Sequence, residues 1–440
     1  MNIADSEIIA SIMTENGFSL VQEITKAGII LINTCSIREN AEQKIWNRLK
    51  EIRNLKKKNR KIIIGLTGCM AERLKEELFD QEHSIDIVAG PDAYRDLPAL
   101  VEEAMNGRKA VNVQLSQCET YADISPLYRD GSGITAFIPI MRGCNNMCAY
   151  CVVPYVRGAE RSRDPESILR EAGDLFKKGF REITLLGQNV DSYKFISGDN
   201  ITEFHHLIEK VAGIDNLLRV RFTTSHPKDI SEELLRTIAR NKNICKHIHL
   251  PVQSGSSRIL KLMNREYTRE DYMSRIESIR SIIPGCSVST DIITGFCTET
   301  EADHEETLTL MKWAGFDFAY MFRYSERPGT KAARKLKDDV PEEIKTKRLN
   351  EIISLQNSLS LKSKRNDIGK VFEVLVEGVS KRSTDFLTGR TSQNKVVVFP
   401  RENKKEGDYV NIQVVKCTSA TLKGSRMFKP NNIQRENLFS

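Results

Sequence analysis

The stretch Phe137-Ile-Pro-Ile-Met141-Arg-Gly-Cys144-Asn-Asn-Met-Cys148-Ala-Tyr-Cys151 decides how this chain reads. Three cysteines in C-x3-C-x2-C spacing follow directly on an apolar run. A short apolar run reads as a buried strand, and the glycine behind it opens a tight loop. Three thiolates can hold three irons of a [4Fe–4S] cluster and leave the fourth iron without a cysteine. An open metal position marks a reactive site, by the logic that separates catalytic from structural zinc. Zinc itself and three unrelated core thiols are the rival readings. Zinc takes four ligands, and no fourth Cys or His stands near the triplet; Cys118 is distant and His205 more so.

The rhythm that starts at Phe137 repeats about six times. Strands are expected at 137–142, 182–186, 219–223, 247–250, 287–293 and 318–323. Helices such as 165–178, 231–240, 269–282 and 301–314 fall between them. Alternation of this kind predicts a parallel sheet. Its length predicts an incomplete (β/α)6 barrel, with the cysteine loop on the rim where such barrels carry their chemistry. His247 and His249 are read as facing opposite sides of their strand, and so as unable to form one site.

Upstream, residues 1–125 also alternate, with helices at 5–16 and 38–55 and strands at 28–34, 61–67 and 85–90. Cys35 and Cys69 end two of these strands, on the edge where open α/β sheets place ligands. The basic run Lys56–Lys61 follows a helix and reads as a solvated helix end more than an RNA contact. After Pro341 a charged helix runs to about residue 364. Alternating stretches at 370–379, 394–399 and 409–415 then predict a small barrel of OB type. The expected domains are 1–125, 130–365 and 366–436.

Composition sets bounds on this. The 440 residues are 40% hydrophobic, enough for real cores, and carry a net charge of +7. Residues 366–440 hold 13 Lys and Arg against 8 Asp and Glu, a net +5, while the rest carry 53 against 51. A basic module on a near-neutral body suggests a tether for a polyanion. No run approaches the roughly eighteen apolar residues of a membrane span. No export signal is visible at the start, so the ten cysteines are expected to be reduced thiols or ligands in the cytoplasm.

Over essentially its whole length the chain resembles the radical S-adenosylmethionine (SAM) methylthiotransferases, in the branch that acts on isopentenylated tRNA. The matching stretches are Asn33 to Glu42, Gly68-Cys-Met-Ala71, Gly143 to Gly158 and Leu185 to Tyr193, then Thr224-Ser-His-Pro-Lys-Asp229, His249 to Ser256 and Met263 to Glu270. The resemblance implies an α/β protein. A Rossmann-like parallel sheet domain, its first strand apparently missing, precedes a partial (β/α)6 radical SAM barrel and an RNA-binding TRAM domain. It implies two [4Fe–4S] clusters. Cys144, Cys148 and Cys151 would hold the radical SAM cluster; Cys35, Cys69 and one cysteine missing from this chain would hold an auxiliary cluster that supplies sulfur. Tyr150 would lie against the SAM adenine. Gln188, Asn189, Ser225 and Gln253 stand on the same rim as SAM contacts, with His226 beside them.

The implied reaction is methylthiolation at C2 of N6-isopentenyladenosine next to the anticodon. A flavodoxin or ferredoxin would supply electrons, and the protein would act as a monomer away from membranes. Other branches of the family modify threonylcarbamoyl-adenosine in tRNA or an aspartate of a ribosomal protein, and an RNA-binding remnant is a further rival. The missing cysteine normally sits in Gly-Cys-Gln-Met-Asn, and this chain opens inside that motif at Met1-Asn2. Two explanations compete: a mis-called start, with Met1 an internal methionine of a longer protein, and a genuine truncation with only two auxiliary thiolates. The intact flanking residues favour the first. Cys297 falls where the family more often shows Pro-Gly and reads as a local variant, not a ligand.

Overall fold

The computed structural model describes residues 1–34, 39–128 and 133–426. Cys35 lies outside the described residues. Strands Ile29–Thr34, Ile63–Gly68, Ile87–Ala89 and Ala110–Asn112 form one parallel sheet in that order. Ile63–Gly68 is buried along its whole length, as a parallel strand covered on both faces must be. Alternate residues serve opposite sides. Ile63 and Ile87 pack with Ile8, Ile9 and Ile12 of the helix Asn2–Glu15, whereas Ile64, Leu66 and Val88 pack with Leu49 and Ile52 of the helix Glu39–Lys58. That second helix outruns its expected end, and its basic tail is fastened: Lys56 Nζ donates to Ser84 O at 3.0 Å and pairs with Asp86. The three-residue strand at 110–112 carries no signal in the sequence.

Six parallel strands make the central arc. Thr135–Pro139, Glu182–Leu186 and Arg219–Thr223 form one three-stranded sheet, and His247–His249, Ser287–Thr294 and Phe318–Arg323 another. A parallel bridge, Val220 to Ile244, links the first sheet to the segment that leads into the second. Strand and helix ends follow local signals. Thr268 and Thr300 each close a capping box with Asp271 and Asp303. Asp164 caps the helix Pro165–Lys177, whose proline sits at its first position. The first strand is shorter than expected, because Ile140 separates it from a two-residue strand, Met141–Arg142.

The C-terminal module is a closed five-stranded barrel ordered Val371–Val379, Phe386–Thr391, Val396–Pro400, Leu422–Arg426, Tyr409–Cys417. The turn after Phe386–Thr391 enters the end of the central arc opposite the cysteine loop. Arg219 donates to Arg390 O at 2.7 Å, and Arg221 to Thr391 O at 2.7 Å and Ser392 O at 3.2 Å. Ser287 Oγ donates to Gln393 O at 2.7 Å. Arg221 also pairs with Glu182 at 2.8 Å, so the module satisfies buried charge at the barrel's base. It is more than a tether.

The N-terminal sheet docks on the barrel through buried charge. Asp5 is wholly buried, 3.1 Å from Arg142 and 2.6 Å from Arg157. Asp92 joins them, 3.0 Å from Arg161 and 3.5 Å from Arg142. Burial alone would raise the Asp5 pKa, but Arg157 and Arg142 outweigh it and hold the carboxyl at about 2. Losing one partner of a buried ion pair strands the other. Asp5→Asn is therefore expected to lower unfolding free energy by ~3–5 kcal/mol, measured by denaturant titration at pH 7. A variant as stable as wild type would show that this network does not hold the interface.

Candidate active site

Gly143 sets the entry to the cysteine loop. Its φ is +76°, and a Cβ there would lie 1.9 Å from Ala159 O, so only glycine fits. Cys144 N then donates to Gly158 O at 3.1 Å, and Cys151 N to Cys148 O at 3.0 Å. Two of the three sulfurs already accept hydrogen bonds, Cys151 Sγ from Val153 N at 3.4 Å and Cys148 Sγ from Arg265 Nη1 at 3.3 Å. Burial pushes the Cys144 thiol up to about 11 and the Cys151 thiol up to about 12, and the neighbouring thiols add to it. Three thiolates at this loop need a cationic partner, which iron would supply. Among the described residues no three His, Cys, Asp or Glu side chains converge on one ion. A cluster spreads its thiolates around a cube, further apart than the ligands of a single ion. The donor set, soft thiols with N–H···S bonds, fits an iron–sulfur cluster.

The neighbouring strand ends supply the rest of the rim. Gln188 and Asn189 follow Glu182–Leu186, Ser225 and His226 follow Arg219–Thr223, and Gln253 follows His247–His249. Val190 N donates to Thr224 O at 2.9 Å and Ser225 N to His249 O at 3.2 Å, which laces the loops together. Asp191 accepts from Ser225 Oγ at 3.1 Å and His226 N at 3.0 Å. Gln253 is buried in a left-handed conformation, φ +69°. Gln188 Oε1, Asn189 Oδ1 and His226 Nε2 are buried without a hydrogen-bond partner in the protein. Burial, Arg265 and Lys228 keep His226 neutral, with its pKa down at about 2. Lys228 N approaches its Nδ1 at 3.3 Å, so Nε2 carries the proton. Two acceptors and a donor on these loops thus keep hydrogen-bonding capacity that the protein does not use. Tyr150 packs half-buried against the apolar cluster of Ala149, Met263 and Phe296, and Cys297 belongs to the same cluster.

Cys69 is buried at the start of the short helix Cys69–Leu74. Gly68 before it has φ +89°, and a Cβ there would lie 2.6 Å from Asn33 Oδ1. Arg157 Nε donates to Cys69 Sγ at 3.2 Å. Cys69 packs against Val152 and Val156, in the segment that leaves Cys151. The fold therefore brings Cys69 to the segment that follows the triplet. Strand register pairs Thr34 with Gly68, the residues just before Cys35 and Cys69.

One expectation is corrected. Residues two apart on a strand share a face, and both His247 Nε2 and His249 Nδ1 meet Ser289 Oγ at 2.9 Å. Three residues with places at the rim went unassigned in the sequence. Arg265, Lys228 and Arg157 stand within stretches that carry the resemblance, but a lone basic residue gives no sign of its partner, a thiol for Arg265 and Arg157 and the side chains of Asn146 and Glu266 for Lys228.

Burial pushes the Asp191 carboxyl up to about 7, although the His226 and Ser225 bonds favour its ion. The folded chain then holds a proton that the unfolded chain has released. Its stabilising effect is full below the unfolded value of 3.8 and is lost as pH rises to about 7. Asp191→Asn should flatten that fall, a difference on the order of a few kcal/mol. Parallel stability–pH curves for the two proteins would refute the assignment.

Comparison with known proteins identifies the family. Residues 138–311 match the Radical SAM superfamily, whose chemistry uses an iron–sulfur cluster and SAM; residues 1–90 match Uncharacterized protein family UPF0004, and residues 365–426 the TRAM domain. Among solved structures, the radical S-adenosylmethionine methyltransferase TsrM from Kitasatospora setae, with cobalamin and a [4Fe-4S] cluster bound, shares the fold at a TM-score of 0.56 and 13% identity, over 75% of this chain and 70% of that one. A tRNA-2-methylthio-N(6)-dimethylallyladenosine synthase from Bacteroides fragilis is 57% identical over 97% of this chain and 94% of its own length. Those of Phocaeicola vulgatus and Bacteroides thetaiotaomicron match at the same identity and coverage. The chain belongs to the tRNA-2-methylthio-N(6)-dimethylallyladenosine synthase family of radical SAM methylthiotransferases.

Proposed function

We propose that this protein adds a methylthio group at C2 of N6-isopentenyladenosine beside the anticodon of tRNA. The observation that supports the reading most is Cys69 packed against Val152 and Val156, in the segment that leaves Cys151. A [4Fe–4S] cluster with SAM at its open iron supplies, when bound, radical chemistry able to act on an aromatic C–H bond that is strong and not acidic. Cys144, Cys148 and Cys151 would hold that cluster. Gln188, Asn189, Ser225 and Gln253 would hold SAM, with Tyr150 against its adenine and His226 Nε2–H as a further donor. Cys35 and Cys69 would be ligands of the auxiliary cluster.

The target base leaves its stack to reach the rim, at a cost of a few kcal/mol. The C-terminal barrel meets the tRNA backbone, where exposed Lys381, Arg382 and Arg401 offer charge. A flavodoxin or ferredoxin supplies electrons, and the protein works as a cytoplasmic monomer.

Protein that carries a third auxiliary-cluster cysteine, reconstituted anaerobically with iron and sulfide, should convert isopentenylated tRNA to its 2-methylthio form, read by mass spectrometry of the nucleosides. Cys148→Ala should abolish both product and SAM cleavage, because the site has no spare ligand. Wild-type protein that holds its clusters and yields no product would end the proposal, as would a fully active Cys148→Ala.

Replacing Lys381, Arg382 and Arg401 with Gln should weaken tRNA binding without changing SAM cleavage in the absence of tRNA. The slope of log affinity against log salt should shrink by up to ~0.7–0.9 for each phosphate that is no longer neutralised. An unchanged slope would remove this face from the interface.

A further inference from the structure

The loop Met263-Asn-Arg-Glu266 grips the cysteine loop. Met263 O accepts from Ala149 N at 2.8 Å, and Asn264 Nδ2 donates to Met147 O at 3.0 Å. Lys228 Nζ ties Glu266, at 2.9 Å, to Asn146 at 3.0 Å. Between these clasps Arg265, only 5% exposed, reaches Cys148 Sγ at 3.3 Å. Its other donors are fixed, Nε on Tyr267 Oη at 2.9 Å and Nη2 on Pro251 O at 2.9 Å, and the guanidinium lies 5.2 Å from the Tyr267 ring centre.

Two features set Arg265 apart from a structural arginine. The residues on either side of it, Asn264 at φ 58° and Glu266 at φ 56°, are both left-handed and neither is glycine. Strain of this kind persists where the surroundings insist on one geometry. Arg265 also makes no hydrogen bond to a carboxylate among the described residues; its acceptors are a phenol, a carbonyl and a thiol. A buried cation needs an anion. A cluster on three thiolates is anionic, and more so once reduced.

We propose that Arg265 is a positioning residue that sets the reduction potential of the cluster on Cys144, Cys148 and Cys151. Its charge favours the reduced, more negative cluster and so raises the potential, and its N–H···S bond withdraws charge from Cys148. The proposal rests on the reading of the triplet as cluster ligands.

The test compares Arg265→Lys and Arg265→Gln with the parent in a Cys69→Ala background, which removes the signal of an auxiliary cluster. The midpoint potential is read by redox titration of the reduced cluster's paramagnetic signal. It should fall in the order parent, Lys, Gln, with iron content unchanged in the Lys variant. Hydrogen exchange at the Ala149 amide in iron-free protein reports whether the clasp survives, and it should stay protected in the Lys variant. Parent protein that binds no cluster would remove the underlying reading. A parent that binds one, with a flat series, would overturn this proposal alone, as would a Lys variant that falls as far as Gln. A Gln variant that folds but holds no iron, beside a Lys variant that holds it at a lowered potential, would support the role of charge.

Discussion

Asp5 lies in the chain's first helix, yet its carboxylate sits between Arg142 at the foot of the cysteine loop and Arg157 just beyond it. The rest of the site depends on that contact. Arg157 donates from Nη2 to Asp5 and from the neighbouring Nε to Cys69 Sγ. One side chain therefore fixes the sheet domain against the barrel and the Cys69 thiol against the triplet segment. Such a network need not add much net stability, because taking charges out of water is costly. Its value is specificity: an apolar interface could slide, whereas Asp5, Arg142, Arg157, Asp92 and Arg161 meet in one register.

The two ends of the barrel have different tasks. At the rim, strand ends present cysteines, amides and a neutral histidine, several with unused hydrogen-bonding capacity. At the base, Arg219, Arg221 and Ser287 spend theirs on the turn of the C-terminal module. A module that closes the base cannot be removed without exposing Arg221 and Glu182. Charge substitutions on its outer face are therefore a cleaner probe of RNA contact than deletion.

Much of the architecture was legible because local signals coincide with it. The strands at 182–186, 219–223 and 318–323 and the helices at 269–282 and 301–314 end where their apolar patterns and capping residues end. The triplet was legible because its spacing is itself chemistry. What stayed hidden lacks such a signal. Ala110–Asn112 is too short to show a period, and Phe386–Thr391 and Leu422–Arg426 are strands of mixed polarity that a closed barrel completes. The partnership of His247 and His249 on Ser289 was hidden by a wrong parity along the strand. Arg265 and Arg157 owe their places to sulfurs 117 and 88 residues away in sequence, a distance that no local pattern spans.

The central claim is that three cysteines leave one iron open for SAM. Mössbauer spectra of protein reconstituted with isotopically labelled iron, in a background without Cys69, address it directly. Addition of SAM should change the signal of one iron in the cluster and leave the others as they were. Four irons that respond alike, or none that responds while SAM is bound, would contradict the account.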